Sequence, residues 1–143
     1  MDNPKDMIAK IKVHHQCLVD SLNQIRPLVR SYHETKPLMR ELQEILLAHF
    51  QFQSKSFYEQ LRDFYAEDHK AQKMIEFLVQ DLKELKVQTL ILFDDHPGDM
   101  MDIKPGHFLK DFEVFSKSLL DRINIERDYL IPMVEKLENS SPR

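Results

Sequence analysis

Glycine is nearly absent from this sequence. Its 143 residues include two, Gly98 and Gly106, where average usage of about 7% would supply on the order of ten. Sandwiches, barrels and doubly wound sheets need frequent tight reversals, and phosphate-cradling loops need clustered glycines, so both are disfavoured. Cysteine is almost as scarce. Cys17 stands alone, which rules out an internal disulfide and any paired-cysteine zinc or redox motif and agrees with a reducing compartment. Its place inside a helical pattern predicts a half-buried, unreactive side chain. Long apolar runs are missing too: the first residues, Met1 to Asp6, lack a signal-peptide core, and no stretch reaches the apolar length of a bilayer span. A cytoplasmic protein without a membrane partner is expected.

Neither sign of charge dominates. Twenty Lys and Arg face 24 Asp and Glu, for a net charge of −4, and the two signs are interspersed, which argues against a nucleic-acid footprint. The length suits one domain spanning 1–143 with a core that needs no staples.

What the sequence has in quantity is helical patterning. Between its prolines lie stretches rich in Leu, Lys, Glu, Gln and Met with apolar residues every three or four positions. The first predicted helix runs from about Pro4 to Val29 on Ile8, Ile11, Leu18, Leu22 and Ile25. The second starts near Thr35 as N-cap, with Pro37 in its first turn, and runs without a break to about Tyr65 through Leu42, Ile45, Phe52, Phe57 and Leu61. A third starts near Glu67 and uses Ile75, Leu78, Leu82 and Leu85 as far as Phe93. One long connection, 94–107, holds both glycines; its acidic residues and histidines read as a solvated loop. The fourth helix carries Phe108, Phe112, Phe115, Leu119, Ile123, Leu130, Met133 and Leu137, and Pro132 should end or kink it. The tail, 139–143, should fray. Four amphipathic helices joined mostly by short breaks predict an all-α, antiparallel, up-down four-helix bundle.

The apolar tracks are interrupted by polar residues, and a buried polar group needs a partner. His15 falls between Ile11 and Leu18, with His14 at the margin. His49 falls between Ile45 and Phe52, with Gln53 one turn on. Projecting the third stripe backwards reaches Asp68, with His69 beside it and largely off the stripe. On the fourth helix Glu126 lies between Ile123 and Leu130, with Arg122 one turn earlier. At a rise of about 1.5 Å per residue, His15, Gln53 and Glu126 reach similar levels along the bundle, whereas Asp68 lies a few turns away.

The strings His15-Gln16-Cys17-Leu18, Leu46-Leu47-Ala48-His49 with Gln53, Glu67-Asp68-His69, and Ile123-Asn124-Ile125-Glu126 followed by Leu130-Ile131-Pro132 resemble the hemerythrin family in its bacterial HHE cation-binding form. The likeness spans nearly the whole chain. It implies a four-helix bundle holding non-haem iron, in the full form a di-iron centre, that binds or senses oxygen or nitric oxide or handles iron without catalysing a reaction. In that family the ligands are a histidine from the first helix, a His-x-x-x-Glu pair from the second, a histidine from the third and another His-x-x-x-Glu pair from the fourth. By this correspondence the metal-site candidates are His15, His49, Gln53, His69 or Asp68, and Glu126, with a diatomic ligand taken up beside Phe52.

Two positions depart from the pattern: Gln53 stands where a carboxylate is expected, and Arg122 where a histidine is. A carboxamide is a weak ligand, and a guanidinium cannot ligate because it stays protonated. The alternative is a metal-free bundle, its former site a hydrogen-bonded polar core and its role protein–protein interaction or regulation.

Overall fold

The apolar spacing yields helices, and no strand occurs among the residues that the computed structural model describes, 3–29, 31–95 and 105–139. The elements are α1 (Pro4–Ile25), a 3₁₀ turn at Arg26–Leu28, α2 (Tyr32–Phe52), α3 (Lys55–Phe64), α4 (His69–Asp95), α5 (Pro105–Ile125), a π turn at Glu126–Leu130, and α6 (Ile131–Asn139). They form the four rods of a bundle: α1, then α2 with α3, then α4, then α5 continuing through the π turn into α6. Helix α1 lies between α2 and the α5–α6 rod, and α4 packs against α5 and α3.

Local chemistry sets the ends of these helices. Asn3 caps α1, its side-chain oxygen accepting the Asp6 backbone N–H at 2.9 Å, and Pro4 occupies the first turn, where its missing N–H costs nothing. The stripes then meet in one core. Ile11, Leu18 and Ile25 of α1, Leu42 and Leu46 of α2, Ile75 and Leu78 of α4, and Phe108 of α5 are completely buried. The helices depend on this shared burial, since an isolated amphipathic helix of their length is marginal in water.

Several local expectations are corrected. The second rod is broken, because Gln53 leaves helical geometry and Ser54 starts a new helix, its hydroxyl accepting the Phe57 N–H at 3.3 Å. Helix α2 begins at Tyr32, so Thr35 and Pro37 lie inside it rather than at its start. Cys17 faces outward and is exposed. Gly106 belongs to the first turn of α5 instead of the connection. Residues 96–104 and the tail 140–143, on which the acidic-loop and fraying expectations fall, lie outside the described residues.

Near Pro132 the chain responds with a π turn. The Ile131 N–H donates to the Glu126 carbonyl, five residues back, and the wider register ends where Pro132, which has no N–H to give, enters α6. Glu126 is thus the first residue of this turn. π turns of this kind interrupt α-helices frequently at functional sites.

Candidate metal centre

Glu126 is completely buried, and an unpaired carboxylate there would be very costly. Four donors converge on it. Oε1 is 2.7 Å from His15 Nε2 and 2.8 Å from His49 Nε2. Oε2 accepts from Gln53 Nε2 and from Arg122 Nε, each at 2.7 Å. Three rods therefore deliver groups to one carboxyl: α1 through His15, the α2–α3 rod through His49 and Gln53, and the α5–α6 rod through Arg122.

A second tier holds the first in place. Arg122, only 2% exposed, donates through Nη2 to Gln53 Oε1 at 2.9 Å and to the Tyr58 hydroxyl at 3.0 Å. Through Nη1 it reaches the Leu78 carbonyl at 2.8 Å and Asp81 Oδ2 at 3.1 Å. The Tyr58 hydroxyl donates in turn to Gln53 Oε1 at 2.6 Å. These two donors fix the amide orientation of Gln53, turning its NH₂ toward Glu126.

The ring protons follow from this arrangement. An ionised Glu126 offers only acceptors, so His15 and His49 both present Nε2–H to it. His49 Nδ1 lies 2.9 Å from His14 Nδ1, so one of these two nitrogens carries the proton between the rings. Gln53 Nε2 lies 3.0 Å from His49 Nε2, but both are donors in this arrangement, so the amide proton is committed to Glu126.

Electrostatics agree. Burial alone would raise the Glu126 carboxyl, but His49, the hydrogen bonds from His15 and His49, and Arg122 together hold it well below the usual carboxylate range. Burial likewise works against the Arg122 guanidinium, and Glu126 and Tyr58 outweigh it, so the cation is held more firmly than usual. The Tyr58 phenol is pushed up by burial and stays protonated. His14 is lowered, first by burial and then by the neighbouring His49 and His15.

Of the residues singled out in the sequence, His15, His49, Gln53 and Glu126 meet here, with Arg122. Asp68 and His69 do not. Both are exposed, and Asp68 is used as the cap of α4, its Oδ1 accepting the Ala71 N–H at 3.1 Å. The level of α4 that reaches the centre is Leu78 to Asp81, more than two turns further along at 3.6 residues per turn. Phe52 packs at the outer edge, against the rings of His14 and Phe57.

Tyr58 and Asp81 were not foreseen. Tyr58 turns inward because the chain restarts at Ser54, and a serine three residues before Phe57 was the available cap signal. Asp81 could have been anticipated from Arg122, since a buried guanidinium with donors to spare needs a second acceptor.

The family model of the hemerythrin HHE cation binding domain matches residues 6–134. The chain belongs to the hemerythrin HHE family. No curated protein and no solved structure matches it at a significant level. The hemerythrin match agrees with the helical bundle and with a cation site. Among the described residues, one His/Asp/Glu group could hold a metal ion: His15, His49 and Glu126, whose ligand atoms all lie within 4.8 Å of one another.

The donor set fits a single cation. Two imidazoles and a carboxylate are a familiar set for ferrous iron with open positions. A second cation would need stronger donors where this chain has a weakly ligating carboxamide and a guanidinium, and the fixed positive charge of Arg122 opposes it.

Proposed function

We propose that the chain binds one divalent cation, ferrous iron being the ion the family implies, at His15, His49 and Glu126, and that it binds or senses a diatomic gas there. The observation that carries this reading is the convergence of both imidazole Nε2 atoms on Glu126 Oε1. Bound iron would supply an open coordination position for a small ligand. Everything else is the work of the chain. A ligating imidazole is neutral with its Nε2 lone pair free, so His15 and His49 would each hold their one ring proton on Nδ1, any second proton being released on binding. His49 Nδ1–H would then donate to His14 Nδ1 across the 2.9 Å contact. Arg122 and Gln53 hold Glu126 Oε2, leaving Oε1 to face the metal.

We place the chain in the cytoplasm, as one domain over 1–143. Support comes from its single cysteine and from the absence, among the described residues, of a helix long and apolar enough to cross a membrane.

A second reading is favoured by a specific observation. Both oxygens of Glu126 are saturated by protein donors, and Arg122 cancels its charge, so the core is satisfied without metal. The function would then be protein–protein interaction or regulation.

Anaerobic loading with Fe(II) followed by nitric oxide separates the two. Sensing predicts a new visible absorption band on adding the gas to the loaded chain, and no band with His49→Ala. A wild-type chain that takes up iron but gives no band contradicts the gas-binding role.

A further inference from the structure

The polar centre has a neighbour on its α3–α4 side. A cavity of about 360 Å³ opens between these helices, a size in the range of small-molecule sites. Its floor is formed by Gln53 and Tyr58, the two side chains that brace Glu126 from that side. Its walls carry four cationic residues, Lys55 and Arg62 from α3 and Lys83 and Lys86 from α4.

Among the described residues, no acidic side chain lines this cavity. In a chain whose net charge is −4, four cations gathered around one concavity go against the overall balance. Of the nearby acids, Asp81 turns to Arg122 at 3.1 Å, and Glu59, outside the lining, lies 3.8 Å from the wall residue Lys55 in an exposed pair between successive turns. Lys86 is braced by the face of Phe50, its Nζ 5.8 Å from the ring centroid. Val79 and Leu82 supply an apolar wall. Cations above an apolar wall and a polar floor suit a small ligand carrying concentrated negative charge on a compact organic body.

We propose that this cavity is a binding site for a small phosphorylated molecule, its phosphate held by Lys55, Arg62, Lys83 and Lys86. The site is independent of any metal, because none of these four residues touches Glu126, His15 or His49. It also has a physical route to the centre. Tyr58 on the floor donates to Gln53 at 2.6 Å, and Gln53 donates to Glu126 at 2.7 Å. A ligand pressing on the floor therefore acts on the carboxylate through two hydrogen bonds.

Pyrophosphate titrated calorimetrically into the full chain, with no metal added, tests the site. Saturable binding is expected. The double variant Lys83→Gln/Lys86→Gln should weaken it by about tenfold or more, since charge-assisted bonds dominate such sites. A control pair on the exposed face of α1, Lys5→Gln/Lys12→Gln, should leave it unchanged, and matching circular dichroism melts would show that both variants fold. Absence of saturable binding to the wild type would overturn the proposal. So would equal weakening in the two variants, the mark of non-specific charge attraction. Because the titration contains no metal, its failure leaves the cation reading intact, and failure of iron loading leaves this one intact.

Discussion

Arg122 Nε lies 2.7 Å from Glu126 Oε2, one helical turn away on the same rod and fully enclosed with it. This pair gives the centre its character. Where the family pattern has a ligand one turn before the glutamate, this chain has a counter-ion, which spends its other donors on Gln53, Tyr58, Leu78 and Asp81. Breaking a buried pair by removing one partner is more damaging than never having built it. Arg122→Met should lower the stability of the metal-free chain by about 3–5 kcal/mol. Urea denaturation would measure this, and a loss below about 1 kcal/mol, the scale of a surface pair, would show that Glu126 does not depend on the guanidinium.

The same substitution pattern can be run in reverse. Gln53→Glu combined with Arg122→His restores a carboxylate and an imidazole at the two departing positions. The doubly substituted chain should bind one ion more than the natural sequence does, readable as metal content per chain after anaerobic iron loading. Unchanged content would mean that something other than these two side chains limits the site.

His14 is outside the ligand set but holds His49 from behind at 2.9 Å. A partner on the far nitrogen orients a ligating imidazole and typically contributes tenfold to hundredfold in metal affinity. His14→Phe, which keeps a ring beside Phe52, should weaken Co(II) or Fe(II) binding by about that factor and leave the fold intact. Affinity equal to wild type would remove His14 from the account.

Acid should act through Glu126. Its carboxyl is held well below the ordinary value of 4.5 in the folded chain. A depressed folded pKa contributes stability that is fully present above the unfolded value and is lost as pH falls through the folded one. The metal-free chain should therefore hold its stability down to about pH 4.5 and lose it progressively below, and Glu126→Gln should flatten that part of the profile. Melting temperatures between pH 3 and 7 would check this. An identical slope in the variant would assign the acid sensitivity to other carboxylates.

How far the sequence could be read depended on which physical signal was in play. The tracks through Ile11, Leu18 and Leu22, or through Phe108, Phe112 and Phe115, are plain because burial of a helical stripe repeats every three or four residues, and all six residues are buried. The same periodicity marked His15, His49 and Glu126 as inward-facing, and counting rise per residue put His15, Gln53 and Glu126 at one level. Asp68 and His69 misled because motif similarity and helix phase pulled against each other there. The cap formed by Asp68 shows that phase alone did not fix where the helix would start. The break at Gln53–Ser54 was hidden by apolar spacing that continues across it from Phe52 to Phe57. For Tyr58 and Asp81 the Ser54 cap and the buried Arg122 signal only that such partners exist, because their roles come from contact with Arg122, 64 and 41 residues away in sequence, and no local pattern encodes which residues meet.

Metal stoichiometry is the sharpest check on a centre that holds one cation. The chain, loaded anaerobically with excess Fe(II), desalted and analysed for metal and protein, should retain a single ion per chain, and the His49→Ala variant should retain none while losing only about 1–3 kcal/mol of stability from the partner left unpaired. Two ions per chain, or no retained metal in the wild type, would contradict it.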